Sequence, residues 1–221
     1  MIIFLIMFDK FSLYTYFILI FSLSFHEYFH AWAAYRCGDD TAKDMGRMTL
    51  NPLPHIDFIG TFLVPVFMMY SGSSMLFAWA KPVPVNPANF NNPKNDIVKV
   101  GISGPLSNIA IAVAAALAIG IIGVAKLQAN SINWLLWKIL HYTLYINLLL
   151  AVFNLLPIPP LDGSQVLSGF LTARGQAAFA KLEPYGFIII IFLLYTGILG
   201  MVLTPVVRFL AGIFLWNTGG I

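Results

Sequence analysis

Apolar stretches about as long as a bilayer is thick recur along this chain, and they restrict the environment in which it can fold. A helix needs about 20 apolar residues to cross the hydrocarbon core, and residues 11–36, 97–124, 134–156 and 185–203 approach or exceed that length. Residues 56–77 form a further apolar segment, with places to bend at Pro65 and at the cluster Gly72, Ser73 and Ser74. The 221 residues are 59% hydrophobic and only 10% charged, with a mean hydropathy of +0.84. A water-soluble fold of this length would lack the charged residues needed to cover its surface. The pattern predicts an all-α integral membrane protein: a polytopic helical bundle forming one membrane-embedded domain over residues 1–221. Residues 1–8 are apolar but too short to span, and are expected to extend the first helix or to lie in the interface. That first stretch carries no small-residue cleavage motif, so it does not read as a removable signal peptide.

A net charge of +3 and a pI near 9.0 suit basic loops on the cytoplasmic face of a cell membrane. No basic cluster is dense enough for a nucleic-acid partner. The partners implied are the lipid bilayer and a membrane-protein substrate, and no feature assigns an oligomeric state. Cys37 is the single cysteine, which excludes an internal disulfide or a thiolate cluster and leaves histidine and carboxylate as metal donors.

The first span contains His26-Glu27-Tyr28-Phe29-His30. Ionisable groups at membrane depth are costly and usually mark function. At spacing i, i+4 the two imidazoles share one helix face and can bind a single Zn²⁺. Glu27, beside the first donor, is placed to take a proton from water without itself binding the metal. At ordinary residue frequencies a chain of this length matches HExxH by chance about once in 200 sequences. Polar residues gluing helices together would account for one histidine but not for three ionisable groups at this spacing. A catalytic zinc takes a third protein donor, and Asp162 is the leading candidate. It follows the proline-stiffened stretch Pro157-Ile158-Pro159-Pro160-Leu161, which is expected to present it on rigid, non-helical backbone. The competing reading is a surface Asp-Gly turn.

Three elements together resemble the site-2 protease family of intramembrane zinc metalloproteases: His26 to His30, Gly104-Pro105-Leu106-Ser107-Asn108, and the run from Asn154 to Asp162-Gly163. The chain is most similar to the compact bacterial branch without PDZ or CBS domains, which also shows Asn51-Pro52-Leu53-Pro54-His55-Ile56-Asp57 and Trp79-Ala80-Lys81-Pro82-Val83-Pro84-Val85-Asn86-Pro87. The resemblance implies that His26, His30 and Asp162 hold zinc, that Glu27 is the general base, and that Asn154 donates to the developing oxyanion. His55 is a second candidate for that stabilisation. Gly104 and Pro105 are expected to start a tightly packed helix, with Asn108 tying it to the HExxH helix. Residues 76–85 resemble the family's membrane-associated edge strand, with Phe77, Trp79, Lys81 and Val83 as candidate substrate contacts. Such an edge would hold an unwound segment of a transmembrane helix by strand pairing, which its prolines limit to one side.

Topology can be read from charge. For His26 and Asp162 to meet at one depth, the first span and the 134–156 span must run parallel, with an odd number of crossings between them. If 56–77 dips in and returns, Arg36, Lys43, Arg47, Lys81, Lys94, Lys99, Arg174 and Lys181 share one side against Lys10, Lys126, Lys138 and Arg208. If it crosses fully, six face six and no orientation is favoured. The expectation is therefore a re-entrant or partly embedded segment, an external N-terminus and an active site toward the cytoplasm. A metal transporter is the rival reading, but neither repeated halves nor donors strung along a path are present. A zinc site kept only for stability would not require Glu27.

Overall fold

The structure, a computed structural model, describes residues 4–7, 13–70, 75–122 and 132–215. Helix α1 (Leu13–Arg36) is apolar around its circumference, and Leu13, Phe17 and Phe21 remain exposed, as suits a helix that faces lipid. It stops at Gly38, which adopts φ +104°. There the Gly38 N–H donates to Tyr35 O and the Asp39 N–H to Ala34 O, which satisfies the last carbonyls of the helix. The one-turn helix α2 (Thr41–Asp44) follows.

The next segment enters the bundle and comes back. A π-helical turn, Phe58–Leu63, leads into helix α3 (Val64–Tyr70), and together they are too short to cross a bilayer. The segment descends beside α1, where the Tyr16 hydroxyl donates to Thr61 O at 2.5 Å. The chain then returns past its own entry point: the Trp79 N–H donates to Gly60 O, and Thr61 Oγ1 donates to Trp79 O at 2.7 Å. The re-entrant expectation therefore holds, while the predicted bend at Gly72 to Ser74 lies outside the described residues. On the return, strand β2 (Met75–Ala78) pairs antiparallel with strand β1 (Phe4–Met7). Phe4–Met7 thus form a strand rather than an extension of α1. The edge strand expected over 76–85 is regular only to Ala78; beyond it the backbone is extended but belongs to no ladder.

Helices α4 (Pro93–Ile122) and α5 (Ile132–Asn154) complete the three-helix centre. Helix α5 runs parallel to α1: the Tyr14 ring lies tilted against that of Tyr142, Ser22 meets Asn147, and Leu19 and Leu23 share a core with Ile146 and Leu150. Helix α4 runs the other way, with Val100 at His30 and Asn108 at His26 and Ser22. One crossing separates the two parallel helices, as the meeting of His26 and Asp162 at one depth required.

After α5 come α6 (Asp162–Phe170), α7 (Ala173–Ala180), α8 (Gly186–Tyr195) and α9 (Ile198–Leu215). The single span expected over 185–203 is in fact broken: Gly197 takes φ +77° between α8 and α9. Helix α9 packs antiparallel to α5, with Leu199 and Leu203 beside Phe153 and with Ala211 and Leu215 beside Leu144. Residues 93–122, 132–154, 173–195 and 198–215 are helical stretches long and apolar enough to cross a membrane. With α1, whose 24 residues span about 36 Å, they make a multi-pass membrane bundle.

Candidate active site

The helical rise brings His26 and His30 onto one face of α1, with their Nε2 atoms 2.9 Å apart. Asp162 arrives from α6. Its Oδ2 lies 3.0 Å from His26 Nε2 and its Oδ1 lies 3.2 Å from His30 Nε2. The proline stretch expected to present this carboxylate ends one residue earlier, so Asp162 opens a helix instead of sitting on extended backbone. Helix α6 is held against α4 through glycines: a Cβ on Gly169 would fall 2.1 Å from Val98 Cγ2.

Gly104 lies inside α4, not at its start. A Cβ there would sit 2.4 Å from His30 Nε2 and 2.5 Å from His26 Nε2, so only glycine leaves room for both rings.

Each imidazole is anchored through its other nitrogen. His26 Nδ1 lies 2.6 Å from Asn108 Oδ1, and His30 Nδ1 lies 2.8 Å from the Val100 carbonyl. Both partners accept, so each Nδ1 carries the hydrogen and each neutral ring turns a bare Nε2 lone pair inward. Two such lone pairs and a carboxylate therefore converge, with all donor atoms within 4.8 Å of one another. They repel unless a cation lies among them. Ligands about 2.0–2.1 Å from a tetrahedral zinc stand about 3.3 Å apart, close to the spacings seen here, so the residues fit the metal. Asp162 Oδ2 is buried with no hydrogen-bond donor to satisfy it, as a metal ligand would be.

Glu27 is buried, and its Oε2 accepts from the Val83 N–H at 2.7 Å. A cavity of about 240 Å³ brings Glu27, His30 and Asp162 together with Pro82, Val83, Val85 and Gln165. Neither Trp79 nor Lys81 lines it. The Trp79 ring lies over Gly60, where a Cβ would come within 2.1 Å of it, and the Lys81 N–H donates to His55 O while its side chain is exposed. Phe77 falls in β2, and its side chain lies outside the described residues. Asn154 is buried beyond the cavity, its Nδ2 donating to Leu150 O and its Oδ1 unpartnered.

His55, expected near the oxyanion, is not brought to this cavity. It packs against Ile20, Leu23 and Ser24 on α1, and its Nε2 lies on Thr49 O at 2.8 Å. The His55 carbonyl accepts from the Lys81 N–H.

Ser22, Asn147 and Gln165 are not marked by any motif of the sequence. Asn147 carried a signal, because an amide at membrane depth needs a partner. Ser22 and Gln165 carried none.

A polytopic helical bundle with two histidines and a carboxylate gathered below its surface, and a glutamate on the wall of the same cavity, has the form of a membrane metalloprotease. The chain belongs to peptidase family M50, the site-2 protease family, whose family model matches residues 14–197. It is 38% identical over 196 residues, 86% of this chain and 84% of the relative, to "Putative zinc metalloprotease YwhC" of Bacillus subtilis (strain 168). It is 27% identical to "Putative zinc metalloprotease Rip2" of Mycolicibacterium smegmatis and 28% identical to the protein of that name in Mycobacterium tuberculosis (strain H37Rv). These alignments cover 79% and 78% of this chain but only 64% and 63% of those relatives. No solved structure matches it significantly. The chain is a zinc metalloprotease of the membrane, with zinc as its cofactor.

Proposed function

We propose that this protease hydrolyses a peptide bond within or near a transmembrane helix of a membrane-protein substrate, with His26, His30 and Asp162 as the zinc ligands and Glu27 as the general base. The observation that carries the reading is the convergence of three lone-pair donors beside a cavity that Glu27 also lines. Zinc held there supplies Lewis-acid polarisation of water and of the scissile carbonyl. Glu27 takes the proton of the attacking water and delivers it to the leaving amine. The Val83 N–H aims Oε2 for that transfer. Asn154 is assigned the oxyanion role by family resemblance: it does not line the cavity as it stands, and the second hydrogen of Nδ2 is the one it has to give once its side chain turns toward the substrate.

An intact helix keeps its amides and carbonyls hydrogen-bonded to one another, so the substrate must unwind locally to bring a carbonyl to the site. Recognition falls to the extended segment after β2. The N–H groups of Trp79, Lys81 and Val83 turn inward to Gly60, His55 and Glu27. The alternate positions Ala80, Pro82 and Pro84 face the other way, and two of them lack an N–H. Pro82 O on that edge already accepts from Arg47 Nη2 at 3.3 Å, which leaves the Ala80 and Pro84 carbonyls to accept from N–H donors of a substrate strand.

The site faces the cytoplasm in this reading. What supports it is the count of basic residues along the chain, which sets Arg36, Lys43, Arg47, Lys81, Lys94, Lys99, Arg174 and Lys181 on the side of the site against Lys10, Lys126, Lys138 and Arg208.

The decisive experiment compares the protein with Glu27→Gln in liposomes holding a transmembrane substrate, with zinc content measured on both. The variant should keep its zinc and lose cleavage, and cleavage at the parent rate would sink the reading.

A further inference from the structure

The two histidines are anchored in unequal ways. His30 Nδ1 meets a backbone carbonyl, which can only accept. His26 Nδ1 meets the side-chain amide of Asn108, which would present a donor instead if it turned over. In that orientation the hydrogen of the neutral His26 ring would move to Nε2 and block the metal side. Something must therefore hold the amide.

Two backbone carbonyls do so. Asn147 Nδ2 donates to Thr143 O at 2.8 Å and to Ser22 Oγ at 2.9 Å, which turns Asn147 Oδ1 toward α4. Asn108 Nδ2 donates to that oxygen at 2.9 Å and to Ser22 O at 3.4 Å, which leaves Asn108 Oδ1 facing His26. Asn108 and Asn147 are fully buried and Ser22 is too, so water does not compete. The polarity runs one way from α5 through α4 to α1, and a carbonyl that cannot reverse sets its origin.

We infer that Asn147, on a helix that carries no metal donor, is a positioning residue for zinc binding: it fixes the orientation of Asn108 and, through it, the tautomer that makes His26 Nε2 a ligand. The inference rests on the proposed ligand set. Partners of this kind typically change metal affinity by about 10–100-fold.

The test is zinc affinity by chelator competition on detergent-solubilised protein, with the thermal midpoint of each zinc-free form measured alongside. His26→Ala checks the ligand set, and parental affinity in that variant would overturn both readings. Asn147→Leu should weaken zinc at least tenfold. Parental affinity in Asn147→Leu, beside a loss in His26→Ala, overturns the positioning role alone. The double variant Asn108→Asp with Asn147→Leu supplies an acceptor that needs no orienting, so it should recover most of the affinity lost in Asn147→Leu. Failure to recover, with a zinc-free midpoint no lower than that of Asn147→Leu, would show that Asn147 acts only through packing.

Discussion

Gly104→Ala isolates what the closeness of α4 to the two imidazoles is worth. Ordinary van der Waals contact begins near 3.4 Å, and the added methyl would stand 2.4 Å from His30 Nε2 and 2.5 Å from His26 Nε2. The rings, or α4 itself, must therefore retreat by about 1 Å, while metal–ligand distances tolerate about 0.2 Å. The rings cannot move freely, because Asn108 and the Val100 carbonyl hold their far sides. Overpacking costs about 1–3 kcal/mol, and replacing glycine with alanine inside a helix returns about 1 kcal/mol. Net stability should thus fall by about 0–2 kcal/mol, too little to unfold the bundle. Function should suffer far more, since a misplacement of about 1 Å costs about 100-fold in rate. The assay pairs zinc affinity and substrate cleavage with a thermal midpoint. Gly212→Ala in α9, whose new methyl meets nothing within 4 Å, serves as the control: zinc affinity and cleavage should stay near parental values, and the midpoint should rise slightly with the gain of about 1 kcal/mol in helix propensity. If Gly104→Ala bound zinc and cleaved like the parent, the steric reading of this site would be refuted.

Other consequences can be checked separately. Val83→Pro removes the N–H that aims Glu27; a hydrogen bond to a charged group is worth about 1.5–3 kcal/mol, so kcat should fall at least tenfold with zinc retained, and an unchanged kcat would count against that contact. Stripping zinc with a chelator should end cleavage and lower the midpoint, with both restored on reloading; at a ligand concentration 100 times Kd the stabilisation is about 2.7 kcal/mol. Asp39 accepts from Thr41, Asn86 and Asn89 and so ties residues 86–89 to the end of α1. Burial pushes its carboxyl up, but those hydrogen bonds win and hold it below the ordinary value. With the folded value below the unfolded one, its contribution is present above about pH 3.9 and is lost as pH falls through the folded value. Asp39→Asn should cost about 2 kcal/mol at neutral pH and flatten the acid limb of a stability–pH curve; an acid limb matching the parent would remove Asp39 from that account.

The membrane environment, the HExxH pair and the re-entrant segment were legible in the chain alone, because each rests on local spacing or on counting, whereas Asp162 was singled out by its proline-flanked setting and by the family resemblance. A helix sets the relation of His26 to His30 by its own rise, and the shortage of charge leaves a bilayer as the only fitting solvent. The count of basic residues was enough to predict that 56–77 turns back.

Contacts between segments were not legible. That Gly104 makes room for two rings depends on the depth and rotation of α4 against α1, which side-chain packing decides. The same holds for Trp79, which reads as a substrate contact in an extended stretch and is committed to Gly60 once the hairpin closes. His55 likewise faces α1 and the Thr49 carbonyl instead of the catalytic cavity. The break at Gly197 was hidden because apolar residues continue on both sides and a single glycine does not announce its φ. Asn147 makes the same point at the site itself. Its amide could be seen in the sequence, but its direction, and through Asn108 the face that His26 turns toward the metal, exists only where three helices meet.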